Sequence, residues 1–354
     1  MEWDAKQVGR TWRKHDLSDK AGKVLRDTVV LSKERRVCLK DSFKSAIWSL
    51  ELEGRHRRHP VILKIFKAVD RSESLIELNM YRHAGELLRG LMPKIYFTER
   101  HSGDWWVCME RVPPVKGQVQ FTPYHFLNII PSLAELHSRT YNERFNPHRR
   151  HFTDWLPFYE SKAAVKERKE TNERTLEVLD EAMRRDDLRQ QIEPNYRALK
   201  RLLRRGPLFF PEILENGQSI VHSDLQTANM GCRDVKVRKW DVQYFDWEGA
   251  RYAPCWFDMV NLVGIFLAYR RDWKAQEDEI IERCIRRYTR DMKKRGITWK
   301  HDPEKLYKWT FLQRVLEKTL FLQLHWEVKG IKKGVLLPVI LDKIQTWGKE
   351  LKLL

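Results

Sequence analysis

His222-Ser223-Asp224-Leu225-Gln226-Thr227-Ala228-Asn229, followed seventeen residues later by Asp246 within Tyr244-Phe245-Asp246-Trp247, is the stretch on which the reading of this chain turns. Phosphoryl transfer needs these residue types at close quarters. One carboxylate orients an acceptor hydroxyl and takes its proton, while an amide oxygen and a second carboxylate hold the magnesium that bridges nucleotide phosphates. Asp224 suits the first role; Asn229 and Asp246 suit the second. Magnesium prefers oxygen ligands and keeps several waters, so two protein ligands suffice. The five residues from Asp224 to Asn229 can fold back to aim both side chains into one cleft, and a hairpin can return Asp246 beside them. Glu248, on the same face as Asp246 if the segment is extended, could add a carboxylate for a second metal. His222 reads as structural, holding the loop through a hydrogen bond. An isolated HxD is a common accident, and Asp and Asn decorate ordinary turns. The framing by Ile220-Val221 and by the apolar neighbours of Asp246 is what sets this stretch apart.

Residues 29 to 67 read as short strands with turns: VVLSKERRVCLKD, SAIWSLELEG and HPVILKIFKA, rich in β-branched and aromatic residues. Residues 73 to 90 place Leu75, Leu78, Tyr81 and Leu87 at helical spacing, with Gly90 as a stop. PKIYFTER and DWWVCMERV give two more strands, and Pro113-Pro114 then marks a boundary between lobes. From Thr122 the pattern is helical, with Phe126, Ile130, Leu133 and His137 in phase and Pro131 either kinking the helix or marking a later start. Residues 151 to 206 form a charged helical stretch with Leu176, Leu179, Met183 and Leu188 on one face. Strand character returns around Gln218, and residues 262 to 354 are helical again. The expected fold is therefore α+β: an antiparallel sheet with one helix in residues 1–112, then a larger, mainly helical part in 113–354 that carries a helical insertion at about 140–206.

Composition narrows the function classes. A 42% hydrophobic content supports real cores. The polar N-terminus resembles no secretory signal, and the longest apolar run, near Met259 to Ala268, is too short to span a bilayer, so a cytoplasmic protein is expected. Cys38, Cys108, Cys232, Cys255 and Cys284 are scattered without a CxxC pair, which argues against a disulfide framework or a zinc site. The formal charge of +18, from 67 Lys+Arg against 49 Asp+Glu, could attract anionic metabolites, lipids or nucleic acid. No nucleic-acid motif accompanies it, and the basic residues are interleaved with acidic ones, as in Lys166-Glu167-Arg168-Lys169-Glu170.

With these residues in place, the chain resembles the aminoglycoside phosphotransferase and choline kinase superfamily, small-molecule kinases with a protein-kinase-like, two-lobed fold. The resemblance rests on the HSDLQTAN loop, on Asp246-Trp247-Glu248, on LAELH at Leu133 to His137 and on FDMVNL at Phe257 to Leu262. It implies that Lys64 in VILKIF contacts the nucleotide α and β phosphates and that Glu77 is its helix partner, with Lys67 and Glu73 as competing choices. Strand alternation puts Lys64 on one sheet face with Ile62 and Phe66, a plausible direction for a nucleotide cleft. It implies that MERV, Met109 to Val112, links the lobes, with main-chain atoms of Glu110 and Val112 meeting the adenine edge. It implies that Asp258 is a structural aspartate bracing the catalytic loop. The pattern departs from protein kinases in two places. The hairpin tip Lys40 to Ala46 has no glycines, and Gln226 stands where protein kinases usually carry Lys, which favours a small-molecule acceptor.

The expectation is thus an ATP- or GTP-dependent, magnesium-requiring phosphotransferase acting on a hydroxyl of an aminoglycoside-, choline- or sugar-like acceptor. The competing reading is a catalytically weak kinase-like scaffold, for example of a spore-coat type. Retention of Lys64, Asp224, Asn229 and Asp246 argues against it, since a scaffold has no physical need of all four. Trp155, Tyr159, His325 and Trp326 could line the acceptor pocket, although core or surface packing is the stronger account of them. A strongly basic chain does not help attract a cationic aminoglycoside.

Overall fold

Apolar residues alternating with period two build the sheet. The computed structural model, which describes residues 3–67 and 72–353, begins its β-structure at β1 (Val30–Asp41). This strand is followed by β2 (Ser45–Glu53), β3 (Arg58–Phe66), β4 (Ile95–His101) and β5 (Asp104–Glu110) in one antiparallel sheet of order β1-β2-β3-β5-β4. In β2 every second residue, Ala46, Trp48, Leu50 and Leu52, is buried. Central β3 buries Val61, Leu63 and Ile65 on that same side and turns Ile62, Lys64 and Phe66 to the other, with Ile47 and Val107 as the lateral neighbours of Lys64. The edge strand β1 shifts register between Leu31 and Arg36 and again between Cys38 and Lys40, and carries charge through Lys33-Glu34-Arg35-Arg36, features that discourage further strand pairing. The strands match the sequence pattern; Ala68, the last residue of that pattern in β3, lies outside the described residues.

Two helices precede the sheet where the sequence pattern gives no element: α1 (Ala5–Lys14) and α2 (Leu17–Leu25). Asp4 and Gln7 form a reciprocal capping box at the start of α1. Val8, Trp12, Leu17 and Ala21 are buried, and the Trp3 and Trp12 rings meet Trp106 and Phe97 edge-on at centroid distances of 5.0 and 5.4 Å. Heavy charge on the other faces masks this narrow apolar stripe. The helix expected over residues 73 to 90 is shorter, α3 (Ser72–His83), and buries Leu78 and Tyr81. Gly85, a poor helix former, follows its end, and Leu87 falls in turns before Gly90, whose φ is +80°.

The described residues group into two compact units. The first holds those up to Gln120, Arg150–Leu156 and Thr227–Ala250; the second holds Phe121–Arg149, Pro157–Gln226 and those from Arg251 onward. The second is mainly helical. Its α4 (Phe126–Arg139) runs without a break through Pro131 and buries Ile129, Ile130, Leu133 and Leu136. The charged stretch forms helices Lys162–Ala182 and Asp186–Leu203. The buried stripe of the first is Asn172, Thr175, Leu179 and Ala182, one step round from the expected face, so Leu176 and Met183 are only half-buried. There are four further short strands: β6 (Gln218–Val221), β7 (Met230–Cys232), β8 (Val242–Tyr244) and β9 (Arg251–Pro254). β6 pairs antiparallel with β9 in the second unit, and β7 with β8 in the first. Further helices include Glu277–Lys293, Pro303–Arg314 and Leu337–Glu350, with π-helical turns at Val260–Ile265 and Val315–Thr319. Among the described residues no helix is long and apolar enough to cross a membrane. Cys108, Cys232, Cys255 and Cys284 are buried, Cys38 is exposed, and none of the five is disulfide-bonded.

Candidate active site

In the first unit the geometry centres on Lys64. Its ammonium lies 2.6 Å from each Glu77 carboxylate oxygen and 3.2 Å from Asp246 Oδ1. Burial alone would depress its pKa, but the Glu77 and Asp246 carboxylates outweigh that cost and hold it above its ordinary value, so Lys64 is charged. Tyr81, one turn along α3, donates to Glu77 Oε1 at 2.9 Å, and its hydroxyl accepts from the Asp246 N–H at 3.2 Å. Burial drives the Tyr81 phenol well above its usual pKa, so it stays protonated as a donor. Of the competing residues, Lys67 is drawn to the hairpin tip, where its ammonium meets the Asp41 carboxylate and, at 3.1 Å, the Ser42 carbonyl. The side chain of Glu73 lies outside the described residues.

Asn229 and Asp246 emerge at the same end of the β7–β8 pair because Met230 stands opposite Tyr244, and Phe245 N–H donates to the Asn229 carbonyl at 3.1 Å. Asn229 is buried, while the Asp246 side chain is 43% exposed. Asp246 has φ +66° and ψ 57°, a left-handed conformation uncommon outside glycine, of the kind that concentrates at functional sites. Trp247 anchors it: the ring is buried and its Nε1 donates to the Tyr244 carbonyl at 3.0 Å. Glu248 follows in a short 3₁₀ turn rather than a strand, so the expected shared face with Asp246 does not arise; its carboxylate lies 3.7 Å from Lys44.

Beyond Glu110 the chain is pinned along β7 by Val115 N–H to Met230 O and Cys232 N–H to Pro113 O, each 3.0 Å. A side chain at Gly231 would collide with Val112 Cγ1, since a Cβ there would stand 2.8 Å from it. The Glu110 N–H is taken by the Lys94 carbonyl at 2.9 Å, and its carboxylate by the guanidinium of Arg233 at 2.8 Å through both oxygens. Glu110 and Val112 border a cleft of ≈ 340 Å³. Its walls are apolar, from Leu39, Ile47, Ile62, Met109, Val112 and Phe245, and its polar end holds Lys64, Asn229 and Asp246.

In the second unit the loop carrying Asp224 is braced from beneath. Asp258, fully buried, accepts from the backbone N–H groups of His222 and Ser223, both at 2.8 Å. Its Oδ2 also meets His137 Nε2 at 3.2 Å, and His137 Nδ1 lies 2.6 Å from the Tyr288 hydroxyl. Burial works against the Asp258 charge, but the His137 bond, the neighbouring His137 and His222 rings and the His222 N–H outweigh it and keep the carboxyl below its ordinary pKa. The Ser223 carbonyl is held by Asn261 Nδ2 at 2.6 Å and by Arg314 Nη2 at 3.3 Å. Ser223 itself has φ +63°, the sharp bend that presents Asp224. Asp224 is exposed, accepts from Gln226 Nε2 at 3.2 Å, and is flanked by buried Leu225.

Lys64, Glu77, Glu110, Val112, Asn229 and Asp246 therefore gather in the first unit, and His222, Asp224 and Asp258 in the second. Four participants are not singled out by the sequence pattern: Tyr81, His137 as a brace, Asn261 and Arg314. Tyr81 follows Glu77 at i+4, a spacing that places both on one helical face. The other three act through contacts more than 35 residues away in sequence, beyond the reach of local pattern.

The profile of the phosphotransferase enzyme family matches residues 48–296, more than two thirds of the chain. No curated protein matches the sequence. Among solved structures, a choline kinase from Cryptosporidium parvum is similar with a TM-score of 0.56 at 12% identity, covering 99% of this chain and 98% of that one. A macrolide 2'-phosphotransferase from Brachybacterium faecium reaches a TM-score of 0.52 at 12% identity, covering 92% and 98%. An ethanolamine kinase from Plasmodium vivax reaches 0.50 at 11% identity, covering 100% and 96%. At these identities the likeness concerns the fold.

Proposed function

We propose that this chain, which belongs to the phosphotransferase enzyme family, transfers the terminal phosphate of ATP or GTP to a hydroxyl of a small organic acceptor. The observation that carries this reading is the Lys64 ammonium, clamped by Glu77 and 3.2 Å from Asp246 at the polar end of an apolar cleft. Apolar walls suit a purine base, a buried cation suits its phosphates, and an amide oxygen with a half-exposed carboxylate suits a hard divalent cation. The residues present thus fit a magnesium nucleotide. Asn229 and Asp246 would hold the ion, which when bound neutralises charge across the phosphates. The carbonyl of Glu110 and the main chain of Val112 would meet the base.

Each remaining step falls to a named side chain. Lys64 binds the phosphates, and Glu77 with Tyr81 keeps its ammonium aimed at them. Asp224 orients the acceptor hydroxyl and takes its proton as the new O–P bond forms and the bond to the nucleoside diphosphate breaks. Asp258, Asn261 and Arg314 hold the Asp224 loop through backbone groups, so the carboxylate is positioned before substrate arrives.

The test is mass spectrometry of pooled hydroxylated metabolites and antibiotics incubated with magnesium, ATP or GTP and the protein, with Asp224→Asn as control. A compound that gains one phosphate with wild type alone bears out the reading. Absence of both product and triphosphate consumption overturns it in favour of a kinase-like scaffold.

A further inference from the structure

Within the second unit, helix Lys162–Ala182, the start of β9 and the Arg314–Leu322 segment enclose a second cavity, of ≈ 200 Å³. Five basic side chains line it, Arg168, Arg174, Arg251, Arg314 and Lys318, against two acidic ones, Glu167 and Glu317. Glu317 is committed to Arg314, 2.9 Å away, and also accepts from the Tyr159 hydroxyl at 3.0 Å. Two of the guanidinium groups are held by ring faces and a carbonyl: Arg168 lies 3.7 Å over the Tyr159 ring and donates to the Tyr159 carbonyl at 2.7 Å, and Arg174 lies 5.2 Å over Phe321. Such supports fix a guanidinium plane without cancelling its charge. Burial and the neighbouring Arg314 both depress the Arg251 pKa, the mark of positive charge crowded in a poorly solvated place.

Two independent links tie this cavity to the Asp224 loop. Arg251 stands opposite Val221 in the β6–β9 pair, one residue before His222. Arg314 reaches the Ser223 carbonyl, one residue before Asp224. We propose that this cavity receives an oxyanion, a carboxylate or a phosphate monoester, carried by the phosphate acceptor, so that the acceptor is a small hydroxylated anion rather than a polycation or an amino alcohol. The inference rests on the phosphotransferase reading for its term "acceptor" but not for the anion site itself. Planar guanidinium forks match both oxyanions. At roughly 30 Å³ per water-sized group the volume admits an anionic head and a few attached atoms.

The experiment uses the full chain and two exposed positions, Arg174→Gln and Lys318→Gln, each checked for an unchanged unfolding midpoint. Calorimetric titration with inorganic phosphate and, separately, acetate measures the anion site and tells the two oxyanions apart. Loss of one charge-assisted contact weakens binding about tenfold, and Arg174→Lys retains more affinity than Arg174→Gln. In parallel, phosphorylated products are sought in two pools, one of sugar phosphates and hydroxy acids, one of amino alcohols and aminoglycosides. Product from the anionic pool, with KM raised and kcat kept in both Gln variants, supports the proposal. Anion binding indifferent to both substitutions, or product from the cationic pool alone, overturns it while leaving phosphoryl transfer standing. Anion binding lost in both variants with no product from either pool supports the anion site and overturns the phosphotransferase reading instead.

Discussion

Two carboxylate-centred networks lie in this chain, one in each compact unit, and they differ most in exposure. In the second, Asp258 and His137 are wholly buried, and the Asp258 carboxylate bonds to the backbone of His222 and Ser223. In the first, Lys64 and Glu77 are buried, but the Asp246 side chain at the end of the network is 43% exposed and stands in a cleft. A sealed network can only hold its partners; a network open at one end can exchange one. The contrast fits the proposed roles, bracing for Asp258 and ligand binding for Asp246, and substitution can break it.

The largest effect is expected at the sealed end. Asp258→Ala leaves two backbone N–H groups and His137 without their acceptor, and breaking a buried pair in this way costs about 3–5 kcal/mol, measurable in urea unfolding. Because its folded pKa is depressed, Asp258 contributes fully above the unfolded carboxylate value of about 4, and its contribution is lost as pH falls through the lower folded value. The stability gap between wild type and Asp258→Asn should therefore narrow in urea titrations taken below about pH 4. Glu77→Gln removes the counter-charge of buried Lys64 while Asp246 remains beside it, so an intermediate cost of about 1–3 kcal/mol is expected in the same assay. Asp246→Ala should change stability least, by about 1 kcal/mol or less, yet weaken magnesium-nucleotide binding by about tenfold or more in calorimetry. If Asp246→Ala cost as much stability as Asp258→Ala and left nucleotide affinity intact, the contrast would collapse.

How far the sequence discloses this arrangement follows the range of the interactions. Strand alternation around Lys64 and the loop from His222 to Asn229 are local patterns, and both are legible. The helices at Ala5–Lys14 and Leu17–Leu25 are local as well, with the Asp4–Gln7 capping box and the Val8–Trp12 spacing as their signals, but dense charge dilutes the apolar stripe. The turn at Trp247–Gly249, which denies Glu248 the face it would share with Asp246 in a strand, follows from the left-handed backbone at Asp246, and nothing in the flanking residues announces it. The brace of His137 on Asp258 and the hold of Asn261 and Arg314 on Ser223 join segments distant in the chain, so they exist only once the helices pack. The basic cavity is of the same kind: its arginines come from three separated segments, each reading locally as a solvated helix face or a strand end.

Comparing nucleotide affinity with turnover in Asp224→Asn separates the proposed transfer role of Asp224 from the proposed nucleotide binding by the Lys64–Asp246 cleft. With magnesium ATP or GTP and the acceptor identified by mass spectrometry, the variant is predicted to bind nucleotide within about twofold of wild type and to lose about a hundredfold or more in kcat. Turnover at the wild-type rate, or nucleotide affinity lost together with turnover, would rule out this division of roles.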